Sequence, residues 1–116
     1  MLVGNLLQIG YSIVNMMWVG RMVGADAVGA NCGLGAASYI EICRRLRAAT
    51  TLPIWIKPNA GLPELVDGHP VYRTTALEFA EQAMALVAAG AAFVGGCCGT
   101  SPAFIRALNE RMLACA

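Results

Sequence analysis

The sequence predicts an α/β protein: three βα units forming a parallel sheet, preceded by one apolar N-terminal helix. Three observations carry this. Short apolar runs alternate three times with stretches of helical periodicity after residue 24. Each helical stretch opens on its own start signal: Ser38 with Glu41, Thr75 with Glu78, and Thr100-Ser101-Pro102. Residues 1–20 carry no charged side chain, over about the length a helix needs to cross a bilayer.

Taken in order, residues 1–23 form the first segment. Asn5, Gln8, Ser12 and Asn15 fall three, four and three residues apart, so a helix would gather them into one polar stripe among Leu, Ile, Val and Met. A membrane helix facing a wet cavity or another helix has this pattern, and so does a poorly covered amphipathic helix of a soluble protein. A signal peptide fits less well, because no basic residue precedes the apolar run and Arg21 follows it.

Residues 24–116 form the second segment. Ala25 to Asn31 reads as a buried strand. Ser38 to Ala49 reads as a helix, with a Ser38–Glu41 capping box and Ile42 and Leu46 on its apolar face. Leu52 to Lys57 is a second strand, closed by Pro58. Gly61 to Thr74, with Pro63, Gly68 and Pro70, reads as a long loop. Thr75 to Ala89 is a helix with a second capping box and an apolar stripe of Phe79, Ala83, Leu86 and Val87; Gly90 ends it. Ala91 to Gly96 is the third strand. Pro102 to about Leu113 is the last helix, with Ile105, Leu108 and Met112 turned inward.

Composition narrows the class. The chain has 116 residues, 58% hydrophobic and 13% charged, a richer apolar content than an ordinary soluble domain. A net charge of +1 gives no electrostatic footprint for nucleic acid. Arg44, Arg45 and Arg47 make the only basic cluster and read as a solvated helix face. Five cysteines, an odd number, fit a reducing cytosol better than a secreted disulfide framework. Cys43 and Cys115 fall on helices with no motif around them and read as structural or incidental.

The chemistry concentrates in Gly95-Gly96-Cys97-Cys98-Gly99-Thr100. Neighbouring side chains of a regular strand point to opposite faces, so two adjacent thiols can share a target only if the strand stops and bends, which the glycines permit. Two buried apolar thiols are the plain reading, and a disulfide between neighbours would be strained. The sharper reading is a thiolate metal site, with Cys32 as third ligand. Cys32 also follows an apolar run and precedes glycine, in Asn31-Cys32-Gly33. Three soft thiolates favour zinc, and three protein ligands leave one position open, as catalytic sites do. Cys32, Asn59 and Cys97-Cys98 all fall at the carboxyl ends of strands, where parallel α/β proteins bind ligands.

Three stretches together, Gly29-Ala30-Asn31-Cys32-Gly33, Lys57 to Pro63 and Gly95 to Pro102, resemble the homocysteine S-methyltransferase family, over about Gly24 to Met112. The resemblance implies the C-terminal three βα units of a TIM (βα)8 barrel, well short of the roughly 250 residues of a whole one. It implies that Cys32, Cys97 and Cys98 hold zinc and that homocysteine enters as fourth ligand. A zinc-stabilised thiolate would then attack a methyl donor and give methionine. The resemblance implies homocysteine and a methyl donor as partners, with no nucleic acid; the family's members use different donors, methylcobalamin or methylfolate presented by other domains among them, and the sequence does not say which. The family holds the amino-acid part of homocysteine largely with its first barrel strands; in this chain Asn31 and Asn59 are the candidates for substrate contact, each equally able to brace a turn. Lys57 reads as a strand-end charge, His69 as a solvated loop residue and Asp26 as structural.

The N-terminal stretch has its own likeness. Gly4-Asn5-Leu6-Leu7-Gln8 through Trp18-Val19-Gly20-Arg21 to Gly24-Ala25-Asp26-Ala27 is similar to the first membrane helix of multidrug and toxin extrusion transporters, departing at Asn15, where many members have aspartate. Both likenesses can contain Gly24-Ala25-Asp26-Ala27, which marks a junction there. Three readings follow: a fragment of a cytoplasmic zinc-dependent homocysteine methyltransferase, with membrane contact through residues 1–20; a membrane-inserted, transporter-derived fragment without catalysis; and a non-catalytic metal-binding remnant.

Overall fold

The computed structural model describes residues 24–115; the expectations for residues 1–23, including the apolar helix and the junction, lie outside the described residues. The predicted alternation is present. Strand β1 is Val28–Gly35, followed by a 3-10 turn, Ala36–Ser38, that runs into helix α1, Tyr39–Ala49. Strand β2, Ile54–Asn59, leads into a hairpin of β3, Pro63–Val66, and β4, His69–Tyr72. Helix α2 is Ala76–Ala88, strand β5 is Phe93–Val94 and helix α3 is Pro102–Ala114. The main sheet is parallel in the order β1-β2-β5, so each βα unit adds a strand beside the last.

Strand bounds differ from expectation for reasons of pairing. β1 starts at Val28 rather than Ala25 because its partner starts only at Ile54, and it runs on to Gly35 across a register break after Cys32. β2 continues through Pro58 to Asn59. Proline is tolerated there because β1 breaks register opposite it, while the Pro58 carbonyl still accepts from the Cys97 N–H at 2.9 Å. Regular pairing of β5 covers only two residues, yet hydrogen bonds to β2 run from Ala92 N to Cys97 N.

The core lies between the sheet and its helices. Ile54 and Ile56 are fully buried, with Tyr39 and Cys43 of α1 and Leu86 of α2 packed on the same side. Along α1 the buried positions are Tyr39 and Cys43, with Leu46 half-buried; Ile42, expected inside, is 41% exposed. The four-residue step from Tyr39 to Cys43 places the thiol on the core face, so Cys43 is a core residue and burial pushes its thiol pKa up. A second cluster joins Phe79, Ala80 and Ala83 of α2 to Leu108 of α3, with Phe79 and Phe104 edge to face at 5.4 Å. Ile105 and Met112 are exposed, because α3 packs through Phe104, Ala107 and Leu108 instead.

The two capping boxes separate. At α2, Thr75 accepts from Glu78 N and the Glu78 carboxylate returns to Thr75 N at 2.8 Å. At α1, Ser38 is already helical (φ −69°, ψ −19°) and makes no side-chain cap, because the 3-10 turn feeds straight into the helix and leaves no extended residue to act as cap. Arg47 is also not a purely solvated charge; it donates to the Thr50 carbonyl at the end of α1 and lies across Gly90.

Removing the α2 cap with Thr75→Ala should lower stability by about 1 kcal/mol, read as a drop in thermal midpoint. Thr75 N–H and hydroxyl hold the Glu78 carboxyl below its usual pKa. A depressed folded pKa adds stability above the unfolded pKa and loses it as pH falls through the folded value. The difference between parent and variant should therefore be full at neutral pH and shrink below about 4.5, the ordinary carboxyl value.

The long loop expected between Gly61 and Thr74 is instead an antiparallel hairpin. Asp67 (φ 50°) and Gly68 (φ 77°) form a two-residue turn with both residues left-handed, the geometry that an Asp-Gly pair favours between strands. An Arg73–Glu64 ion pair of 2.9 Å ties its open end. His69 is exposed on this hairpin and Asp26 is exposed before β1. No helix among the described residues is long and apolar enough to cross a membrane.

Candidate metal centre

The register break in β1 builds half of the site. Cys32 has φ 67° and Gly33 φ 64°, so two successive residues turn through the left-handed region and swing the Cys32 side chain out of the strand alternation. The Tyr39 hydroxyl supports this turn from α1, 2.7 Å from the Cys32 carbonyl and 3.0 Å from that of Asn31. The same turn that presents the Cys32 thiol therefore has its carbonyls satisfied from α1.

The other half follows β5. Cys97 N donates to Pro58 O at 2.9 Å, and Cys98 O accepts from Ala60 N at 2.9 Å, so the pair is stitched to the end of β2. Thr100 closes the turn with its hydroxyl on the Cys97 carbonyl at 2.7 Å. It does so from before the helix; Ser101, in the cap position of α3, makes no side-chain cap.

Asn59 joins the two halves. It is 6% exposed at the end of β2, its Nδ2 donates to Gly33 O at 2.7 Å, and its Oδ1 accepts from Cys98 N at 3.1 Å. One buried amide thus spans the Cys32 turn and the Cys98 turn with both ends satisfied. Asn31, the other asparagine singled out, is exposed on β1 beside Cys32, opposite Lys57 in the β1–β2 register. Lys57 lies over the Trp55 ring at 5.1 Å rather than ending the strand as a free charge.

The three sulfurs of Cys32, Cys97 and Cys98 lie within 4.8 Å of one another. Cys32 Sγ is 3.8 Å from Cys98 Sγ, and Cys97 Sγ is 4.0 Å from Cys98 Sγ. Sulfurs about 2.3 Å from a tetrahedral ion stand roughly 3.8 Å apart, so two of the three sulfur pairs already have the spacing of a thiolate metal centre. The Cys32 thiol is held below its ordinary pKa, first by the Gly33 N–H and then by Cys98, while Cys98 is held above by its hydrogen bonds to Cys32 and Cys97. Cys43 and Cys115 lie apart from this cluster, one in the core and one exposed at the end of α3.

Two residues of the neighbourhood had no sequence signal of their own. Tyr39 reads as an ordinary helix residue until the left-handed Cys32 turn is placed above it. Tyr72 reads as loop until the hairpin lays it beside Gly99; the Asp67-Gly68 pair was the available signal for that hairpin.

The homocysteine S-methyltransferase family model matches residues 4–112. The match takes in most of the stretch assigned above to a transporter-like helix and gives the transporter reading no support. Methionine synthase of Mycobacterium tuberculosis is 41% identical over 85 residues, which are 72% of this chain and 7% of that protein. Homocysteine S-methyltransferase 4 of Zea mays is 37% identical over 90 residues, 72% of this chain and 25% of that protein. The crystal structure of the homocysteine methyltransferase MmuM from Escherichia coli, in its oxidized form, superposes with a TM-score of 0.60 at 28% identity, over 80% of this chain and 27% of that one. The chain thus spans a quarter or less of the length of these two relatives. The parallel βα units are accordingly a part of that enzyme fold, and the chain belongs to the homocysteine S-methyltransferase family.

Proposed function

We propose that this chain supplies the metal-holding, C-terminal part of an enzyme that transfers a methyl group to the thiol of homocysteine, giving methionine. The observation that carries this is the meeting of three thiols, from β1 and from the turn after β5, at the carboxyl end of a parallel sheet in a chain of this family.

Cys32, Cys97 and Cys98 would hold zinc, and the donor set fits it: three soft ligands within 4.8 Å of one another. When bound, the metal supplies the charge that keeps a substrate thiol ionised at neutral pH. Gly33 N–H favours the ionised form of Cys32. Asn59 keeps the two ligand turns at a fixed separation, and this brace accounts for both ends of its amide. Asn31, exposed beside Cys32, is the better placed of the two asparagines to meet the amino-acid part of homocysteine. The cluster is open on the side of the exposed Cys98, which leaves room for an entering thiol. The methyl donor is methylcobalamin or methylfolate carried by other domains, as the likeness to methionine synthases suggests. Free thiols at the site fit a reducing, cytoplasmic setting.

Homocysteine titrated into the zinc-loaded protein should bind and release about one proton, read from the dependence of the binding heat on buffer ionisation. Homoserine, which lacks the thiol, should release none. With methylcobalamin added, mass spectrometry should then find methionine. A zinc-loaded protein that ignores homocysteine would overturn the reading; binding without methionine would reduce it to a non-catalytic metal module.

A further inference from the structure

The two faces of the parallel sheet differ. Ile54 and Ile56 of β2 turn to the helices and are fully buried, while Trp55 and Lys57, which alternate with them, turn to the opposite face. Trp55 is 48% exposed there, its ring 5.8 Å from that of Phe93 on β5. Parallel strands ordinarily carry apolar side chains on both faces, so a lysine on the middle strand of this sheet calls for a reason. The Lys57 ammonium lies 5.1 Å over the Trp55 ring, and among the described residues no carboxylate forms an ion pair with it. Its place in the sheet is just below the cysteine cluster. Lys57 pairs with Asn31 in the β1–β2 register, one residue before Cys32. On the other side its stem underlies Gly95, two residues before Cys97: a Cβ at Gly95 would stand 3.3 Å from Lys57 Cγ and 3.7 Å from Cδ. The strands that flank the lysine are therefore the two that lead into the cysteines. A cavity of about 190 Å³, lined by Ala27 to Asn31, Trp55 and Lys57, opens on this face.

We propose that Lys57 is a substrate-positioning residue: its ammonium receives the carboxylate of the thiol amino acid whose sulfur enters the cluster, with the Asn31 amide beside it. The inference deepens the homocysteine reading above and rests on it. Charge gives the need. Three thiolates on a divalent ion leave one net negative charge at the site, which repels a substrate carboxylate. A cation on the face below offsets that repulsion and fixes which end of the amino acid points into the sheet face. Reach gives the fit. Each residue advances a strand by about 3.3 Å, so the level of Cys97 stands roughly 7 Å above that of Lys57. In homocysteine four bonds separate the sulfur from the carboxyl carbon, about 5 Å when extended. The four-carbon stem of lysine is flexible and spans the remainder. A cation over an exposed ring is held weakly, so the ammonium exchanges Trp55 for a carboxylate at little cost.

The test titrates three thiols into the zinc-loaded protein by calorimetry: homocysteine; mercaptobutanoate, which lacks the amino group; and aminopropanethiol, which lacks the carboxylate. Lys57→Gln removes the charge and keeps a polar side chain. It should weaken binding of homocysteine and of mercaptobutanoate about 10-fold and leave aminopropanethiol no weaker than in the parent. Aminopropanethiol needs the folded, metal-loaded site but no partner for a carboxylate, so its binding shows that the variant is intact. Parental binding of all three thiols by Lys57→Gln, or an equal loss of all three, would overturn the inference and leave the homocysteine reading standing. A zinc-loaded parent that ignores homocysteine would overturn both.

Discussion

Cys98→Ala is expected to abolish stoichiometric zinc, with about one metal per chain in the parent and little in the variant by elemental analysis. Structural zinc sites are worth about 10–16 kcal/mol over four ligands, or roughly 2.5–4 kcal/mol each. Losing one thiolate should thus weaken binding about 100- to 1,000-fold. The effect should be larger at Cys98 than its exposure suggests, because its sulfur is the one within 4.0 Å of both others. Two further cysteines give the control. Cys43→Ala leaves a gap in the core between α1 and α2, so it should lower the thermal midpoint and keep the metal. Cys115→Ser, at the exposed end of α3, should change neither. Retained stoichiometric zinc in Cys98→Ala would remove the three-thiolate site.

Asn59→Ala should be the most damaging change to the site that touches no ligand. It strips a partner from Gly33 O and from Cys98 N at once, and both bonds belong to turns that carry a cysteine. Leaving two such groups unpaired costs about 2–4 kcal/mol of stability, and the slack between the turns should weaken metal binding about 10- to 100-fold. Asn59→Asp separates the two effects. An ionised aspartate still accepts from Cys98 N but cannot donate to Gly33 O, and it brings a negative charge to a site that collects thiolates. It should recover part of the lost stability and less of the lost affinity. Equal recovery of both, measured by thermal melting beside chelator competition, would mean that the amide acts on the fold alone.

What the sequence disclosed about this site was local in the chain. The glycines around Cys97-Cys98, the Thr75–Glu78 box and the alternation of apolar runs with helical periodicity all express themselves within a few residues, and each is found in the fold. What it hid depends on contacts between distant segments. The choice between Ile42 and Cys43 as the buried residue of α1 turns on where the helix meets β2, and periodicity alone tolerates either. Likewise, Ile105 and Met112 fit a stripe that α3 does not use, because its partner is the Phe79 side of α2. Ser38 and Glu41 have the right spacing for a cap, but the preceding 3-10 turn already supplies helical backbone. The hairpin was hidden for the opposite reason: Pro63 and Pro70 argue locally for a loop, while both sit in a two-stranded ribbon that has free edges to accommodate them. Asn59 could be narrowed only to substrate contact or brace, since its partners lie 26 and 39 residues away.

Cys32 carries a tension between folding and chemistry. Its left-handed backbone, φ 67°, costs a side-chain-bearing residue about 1–2 kcal/mol that glycine would not incur. A chain shaped only by pressure to fold would drift toward glycine at that position and lose one of the three clustered thiols while gaining stability. The third thiol of the cluster is thus one whose loss a screen for soluble, well-folded protein would reward, and only a selection that reads metal binding at the proposed site would keep it.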